Sequence, residues 1–435
     1  MTLPEPDVRP VVAKFGGTSL ADAAQIEKVV ALVTADPARR FLVVSAPGKR
    51  SGDDAKVTDL LLEVADGTDR LSVVRARFEQ IAAGLGVGVD LAAEFAKIAA
   101  RLGEGRDYLA SRGEYLNATL IAARLGWPMV DAATVVRFSD DGELQPEVTA
   151  DLLAEALGDG PAVIPGFYGA TRTGKIVTFS RGGSDVTGAL VAAAVGAQTY
   201  ENWTDVSGIL MADPRVVDSP RPIARLPYTA LRALTYLGAS VLHEDAIAPV
   251  RAKGIPLNIR NTNAPADPGT WVQADLPPAR PGDPALLGLA GRRGYTALTL
   301  RRSQLSGSRG CARLLEELDT AGVRLDMALT SVDTWTVVTS TPPVELAPVV
   351  ERLNQTTDDI ATQPGLALIG AVESGAVPRT VVAARLAGAL ADAGIDVHLL
   401  DSSAGVHIAA IPADRLDDAV RTLYSALCEA RFANC

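Results

Sequence analysis

Lys14-Phe15-Gly16-Gly17-Thr18-Ser19 follows the apolar run Val11-Val12-Ala13 and precedes a helix expected from Leu20 onward. A strand, a glycine pair and a helix start make a phosphate cradle. Backbone amides approach the anion, the helix dipole points its positive end at it, and Lys14 adds a full charge. A second glycine-bearing stretch, Thr178-Phe179-Ser180-Arg181-Gly182-Gly183-Ser184-Asp185, opens a helical run over 186–197. Arg181 can fork onto a carboxylate or phosphate, and Asp185 can orient a lysine. Ser184 or Asp185 could equally serve as a helix cap, but an arginine and two glycines are more than a cap needs. Ser111-Arg112-Gly113-Glu114 offers either a surface ion pair or, through Glu114, a receptor for a substrate ammonium. Thr204-Asp205-Val206-Ser207-Gly208 and Ala212-Asp213-Pro214-Arg215 carry two carboxylates and an arginine suited to ribose and phosphates, although Asp213-Pro214 is also turn chemistry. His243 lies among apolar neighbours and reads as structural. There is no Walker A sequence, no protein-kinase motif set and no Ser-His-Asp arrangement. The chemistry these residues suit is phosphoryl transfer by cationic clamps and positioning, without a covalent intermediate.

These residues need rigid elements beneath them. Phe41–Ser45 is a continuous apolar run, as in a strand covered on both faces, and Ala162–Ile164 leads into Pro165-Gly166-Phe167-Tyr168-Gly169. Residues 71–101 carry helical periodicity, broken near Gly84–Gly88. The alternation predicts a doubly wound α/β domain with a mainly parallel sheet and its site at the carboxyl ends of the strands. Six prolines between Asn263 and Pro284 mark a domain boundary. Beyond it the pattern is α+β. Strands are expected at 286–290, 296–300, 324–328 and 334–339 with a helix at 311–321. The theme returns as strands at 366–371, 396–400 and 406–411 with helices at 380–393 and 416–427. This predicts two small β-α-β-β-like modules.

The 435 residues allow two or three domains, and 48% hydrophobic with 21% charged residues is ordinary for a globular enzyme. A net charge of −11 argues against nucleic acid or an anionic membrane as the main partner. Cys311, Cys428 and Cys435 have no zinc or CxxC spacing, the N-terminus is not of signal type, and no apolar run approaches ~20 residues. A soluble, cytoplasmic protein is expected.

Taken together, Lys14–Ser19, Ser111–Glu114, Thr178–Asp185, Thr204–Gly208 and Asp213–Arg215 resemble the aspartate kinases (aspartokinases) of the amino acid kinase superfamily. Ser45–Arg50, Tyr200–Asp205 and Val241–Asp245 resemble the monofunctional subclass. The resemblance is dense from Val11 to Thr270 and looser in the tail, which looks like that family's paired ACT (ferredoxin-like) modules. It implies an amino acid kinase αβα sandwich over 1–275. The regulatory region would span 285–435, with modules near 285–360 and 361–435, in tandem or intertwined. It also implies ATP- and Mg²⁺-dependent phosphorylation of the L-aspartate β-carboxylate, in a homodimer or higher assembly joined through the ACT modules.

By the same resemblance Lys14 would stabilise the transferring phosphoryl group, and Phe15, Gly16 and Gly17 would line the nucleotide phosphates. Asp185 would organise Lys14. Arg181 would clamp the substrate α-carboxylate and Glu114 its ammonium, with Ser45, Thr58 and Ser184 adding hydrogen bonds. Thr204, Asp205, Asp213 and Arg215 would hold ATP. Two positions depart from the family. Ser240 stands where many members carry a lysine near ATP, with Arg251 and Lys253 nearby. Asp401-Ser402-Ser403-Ala404-Gly405-Val406-His407 lacks the glutamate and asparagine that would hold an amino-acid effector, which predicts weak feedback by lysine or threonine. A kinase acting on an aspartate analogue and a non-catalytic amino-acid sensor are the alternatives. The intact Lys14, Arg181 and Asp185 set speaks against the sensor.

Overall fold

A computed structural model describes residues 9–180, 182–239, 242, 247–274, 276, 279, 283–301, 308–331, 334–354 and 360–429. The chain forms two compact units. One comprises residues up to Ile209, Pro222–Thr235 and Ser240–Pro277; the other comprises Leu210–Arg221, Tyr236–Ala239 and the chain from Pro278.

The strands of the first unit are β1 (Val11–Phe15), β2 (Arg39–Val44), β3 (Arg137–Phe138), β4 (Ala162–Pro165), β5 (Tyr168–Thr171), β6 (Ile176–Thr178), β7 (Thr199–Thr204), β8 (Arg225–Pro227), β9 (Leu257–Asn261) and β10 (Thr270–Gln273). The main sheet runs β4-β2-β1-β7-β9-β10-β8, parallel from β4 through β9, and β3-β5-β6 form a small second sheet. All five residues of β1 are buried, as a parallel strand covered on both faces requires. Lys14 is the one charge in that strand. After β1 the chain makes a single 3-10 turn, Gly17–Leu20, and not the continuous helix expected from Leu20. The α-helix begins at Ala23 because the Asp22 side chain accepts the Gln25 amide as its N-cap.

The helix Arg106–Leu125 is buried along most of its length. Gly113 is its point of closest approach, where a Cβ would fall 2.7 Å from Ala46 Cβ and 3.3 Å from Val57 Cγ1. The helix after Gly182 spans Gly183–Ala194, three residues earlier at both ends than the periodicity suggested. Its start needs the left-handed Gly182, and the turn beyond it uses Gly196. Gly188 lets it lie on Tyr200, whose hydroxyl would meet a Cβ at 2.6 Å.

The second unit carries β11 (Leu286–Arg301), β12 (Met327–Thr330), β13 (Thr334–Thr339), β14 (Ile360–Glu373), β15 (Leu399–Ser403) and β16 (Val406–Pro412) in one antiparallel sheet of order β12-β13-β11-β14-β16-β15. The two strands expected at 286–290 and 296–300 are a single strand, kinked where Gly294 takes a positive φ and the register shifts. The modules are consequently nested. The C-terminal half of β11, β12, β13 and the start of β14 build an inner module with the helices Ser308–Thr320 and Pro343–Asn354, around Leu298, Leu318, Trp335 and Leu353. The first half of β11 pairs with the end of β14 and completes an outer module with β15, β16 and the helices Arg379–Asp392 and Leu416–Tyr424. Residues 210–221 belong to this unit through Leu289 N–H to Met211 O (2.7 Å), Arg221 Nη1 to Cys428 O (2.9 Å) and Arg421 Nε to Val216 O (3.0 Å). Among the described residues no helix is long and apolar enough to cross a membrane.

Candidate active site

The carboxyl ends of β1 and β7 and the start of the helix Gly183–Ala194 bring Lys14, Asp185 and Asn202 together. Lys14 and Asn202 face each other in the parallel register. Lys14 Nζ lies 2.5 Å from Asp185 Oδ1, with both side chains largely buried, and Asn202 Nδ2 donates to the same oxygen at 2.8 Å. The position of Asp185 in the first helical turn also suits its charge to the helix dipole. An ammonium with one carboxylate partner keeps donors for a second anion, as a phosphoryl clamp requires.

Gly16 N–H donates to Trp203 O at 3.0 Å, a bond that ties the turn to β7. That amide is engaged, so an anion at this turn meets the first amides of the 3-10 turn and not that of Gly16. Gly17 packs against Gly48 of the loop after β2. Gly48 N–H donates to Gly17 O at 2.8 Å, and a Cβ on Gly48 would fall 2.6 Å from Gly17 C. The Phe15 ring is fully buried and stacks on Trp203 (5.6 Å between centroids), so only its backbone can border a nucleotide.

A second group of the expected site residues surrounds Glu114. The residue is buried, and its Oε2 has no hydrogen-bond partner. Burial pushes its carboxyl up to about 8, against the pull of the Ala46 amide and the charges of Arg112 and Lys14. A buried carboxyl with a free oxygen is an unfilled demand that a cation satisfies. Ser45 directly follows β2, where its carbonyl accepts Asn117 Nδ2 at 2.8 Å, and Thr58 sits in the first turn of the helix Val57–Ala65. Ser184 is buried against Gly166, where a Cβ would come 2.7 Å from Ser184 Oγ. The positive φ in the Pro165–Gly169 turn belongs to Phe167 (77°) and not to a glycine; Gly183 leaves room for its ring.

Of the residues expected to hold ATP, Thr204 Oγ1 bonds Asp205 Oδ1 at 3.2 Å at the exposed end of β7. Asp213 and Arg215 belong to the second unit and pair with each other at 2.7 Å; the Arg215 guanidinium holds the Asp213 carboxyl below its usual range. Arg251 and Lys253 are exposed. Arg181, Ser240 and His243 lie outside the described residues. In the outer module, His407 is fully buried between Ser402 Oγ (2.8 Å) and Glu373 Oε1 (2.7 Å), and Ser403 bonds Asp401, so the polar groups of 401–407 satisfy one another.

Several residues escaped the sequence reading. Arg112 is no surface ion pair. It is buried, with its guanidinium 4.8, 4.7 and 5.3 Å from the Tyr108, Tyr115 and Tyr168 ring centroids. Glu201 gathers Arg39 (2.7 Å), Arg260 (3.2 Å) and Trp203 Nε1 (2.9 Å), bracing the strand ends behind Trp203. Asn202 could have been noticed as an amide in a buried stretch of β7. Among the described residues no cluster of three or more His, Cys, Asp or Glu could hold a metal.

A glycine-bearing turn and a buried lysine at the ends of parallel strands suit a domain that transfers phosphoryl groups. The model of the amino acid kinase family matches residues 9–261. Aspartokinase 3 of Bacillus subtilis (strain 168) is 32% identical over 420 residues, covering 90% of this chain and 92% of its own. The crystal structure of Clostridium acetobutylicum aspartate kinase superposes with a TM-score of 0.86 at 36% identity, covering 96% of this chain and all of that one. E. coli aspartokinase III in complex with aspartate and ADP gives a TM-score of 0.79 at 26% identity over 96% of this chain and all of its own. The chain belongs to the amino acid kinase family, among its aspartokinases.

Proposed function

We propose that this chain transfers the γ-phosphoryl group of ATP to the β-carboxylate of L-aspartate, giving 4-phospho-L-aspartate. The observation that carries the reading is Glu114, a buried carboxyl with an unpaired oxygen and a value pushed up to about 8. An α-ammonium entering beside it supplies the missing partner and favours its ionised form. The acceptor carboxylate is already a nucleophile, so no base is needed; the work is to bring two anions together and to neutralise the charge that accumulates. Lys14, held by Asp185, which Asn202 braces in turn, stabilises the transferring phosphoryl group, and the turn at Gly17 receives phosphate oxygens. Arg181 takes the α-carboxylate, while Ser45, Thr58 and Ser184 orient the acceptor. Thr204 and Asp205 contact the nucleotide. Mg²⁺ bound with ATP supplies further charge neutralisation between the phosphates. The complex of the E. coli relative with aspartate and ADP supports this pair of substrates.

The catalytic region is 1–275 and the regulatory region 285–435. Their assembly is a cytoplasmic homodimer or larger homo-oligomer joined through the ACT modules, whose shared sheet leaves β12 and β15 as edges. Feedback by lysine or threonine is weak, because the 401–407 hairpin has its polar groups already paired. Glu114 and Arg181 read an α-amino acid without fixing its side-chain length, which keeps an aspartate analogue as the second reading. The test is ATP-dependent hydroxamate formation from L-aspartate with Mg²⁺ and hydroxylamine, wild type beside Lys14→Ala. A signal that Lys14→Ala abolishes is expected. A silent wild type overturns the reading, and turnover of an analogue alone selects the second.

A further inference from the structure

Arg77 is a buried guanidinium that the chemistry above does not use. It stands in the helix Leu71–Leu85, is 5% exposed, and reaches three separate segments. Nη2 donates to Gly48 O at 2.7 Å and to Ala21 O at 2.9 Å, and Nη1 donates to Asp54 Oδ2 at 2.7 Å. Gly48 is the residue whose amide bonds Gly17 O, and Ala21 directly follows the 3-10 turn Gly17–Leu20. The phosphate turn and the loop after β2 are therefore joined twice, once by the Gly48–Gly17 bond and once by a single planar side chain. Asp54, which Arg50 also grips at 2.8 Å, fixes the fork.

Burying a guanidinium costs several kcal/mol of desolvation, and an apolar side chain would fill the same space without that cost. What the guanidinium adds is rigid, divergent donation to two carbonyls and a carboxylate, which neither an aliphatic chain nor a lysine reproduces.

Resting on the kinase reading, we propose that Arg77 is a positioning residue for phosphoryl transfer, locking the turn that receives the phosphates and the loop that borders the acceptor into one cradle. An open cavity of about 270 Å³, lined by Asp22, Ala23, Arg50, Arg77 and Gln80, reaches the same side chain. Truncation at position 77 leaves the guanidinium position accessible to a small planar cation from that cavity.

The test is hydroxamate formation by wild type, Arg77→Ala and Arg77→Lys, with and without low-millimolar guanidinium chloride, with methylammonium chloride as control and circular dichroism to verify folding. Arg77→Ala should lose about 10²-fold in kcat, as a sub-ångström to ångström misplacement of reacting groups does. Guanidinium should restore activity severalfold where methylammonium does not, and Arg77→Lys should fall between. A folded Arg77→Ala with wild-type kcat and KM for both substrates overturns the inference, as does a slow variant that guanidinium fails to rescue. If Arg77→Ala does not fold, Arg77→Lys decides: reduced kcat supports the inference and full kcat overturns it. A silent wild type instead refutes the kinase reading, so the two failures are distinct.

Discussion

Glu114→Gln separates what a buried carboxyl costs the fold from what it gives the site. The folded chain holds its Glu114 proton up to about pH 8, whereas an ordinary glutamate releases it near 4.5. Between those values the folded state binds more protons than the unfolded one, so this residue's contribution to stability is intact below 4.5 and is lost as pH rises through 8. Each step of one in pH inside that window costs ~1.4 kcal/mol, about 3 kcal/mol in all by pH 7. Glutamine has nearly the same shape and no proton to lose. Glu114→Gln should therefore gain on the wild type steadily from pH 5 to 8, a widening Tm gap of about 2 °C per kcal/mol for a domain of this size. Whatever constant offset the new amide introduces, the slope is the diagnostic. In the hydroxamate assay the same variant should raise the aspartate KM by ~10²-fold or more, the expected loss when one partner of a buried pair is removed. The wild-type aspartate KM should fall between pH 7 and 8.5 while the ATP KM stays level. A Tm difference that is flat with pH refutes the raised carboxyl. A folded Glu114→Gln with an unchanged aspartate KM refutes the ammonium role.

Gly113→Ala drives a methyl to 2.7 Å from Ala46 Cβ; overpacking should cost ~1–3 kcal/mol in thermal stability and raise the aspartate KM with little change for ATP. Asp185→Asn leaves Lys14 buried without its carboxylate; kcat should fall by ~10²–10³ and stability by ~3–5 kcal/mol, measured by steady-state kinetics and melting. Millimolar lysine or threonine should leave the initial rate nearly unchanged, and strong inhibition by either would overturn the reading of the 401–407 hairpin.

The strands were the most readable part of this fold. Val11–Ala13 in β1 and Phe41–Val44 in β2 are apolar because a parallel sheet buries both faces, and Lys14 stands out against that background. Nesting in the tail was not readable, because whether 286–301 is one strand or two depends on a single glycine conformation and on pairing with β14 far along the chain. The engagement of Gly16 N–H was hidden for a similar reason: the amide that suits a phosphate in the local motif is claimed by Trp203 in the sheet. Residues 210–221 look continuous with β7 in sequence, yet bonds from Leu289, Arg221 and Arg421 fix them in the second unit.

One rule would have found more of the site. In the helix Leu71–Leu85 the buried positions are Val74, Arg77, Phe78, Ile81, Ala82 and Leu85, so Arg77 occupies the apolar stripe at a spacing that faces the core. Arg112 and Glu114 are buried in the helix Arg106–Leu125, and Asn202 is buried in β7. A charge or amide placed where periodicity calls for an aliphatic carries a desolvation cost. Lys14 met that criterion and was noticed because a glycine pair followed it; Arg77 met it equally and carried no motif. The glycine pair marks where an anion can approach, whereas the buried cation marks what holds that approach in place. The second mark needs only the period of the surrounding apolar residues, and for this chain it leads to the residue that joins the two walls of the cradle.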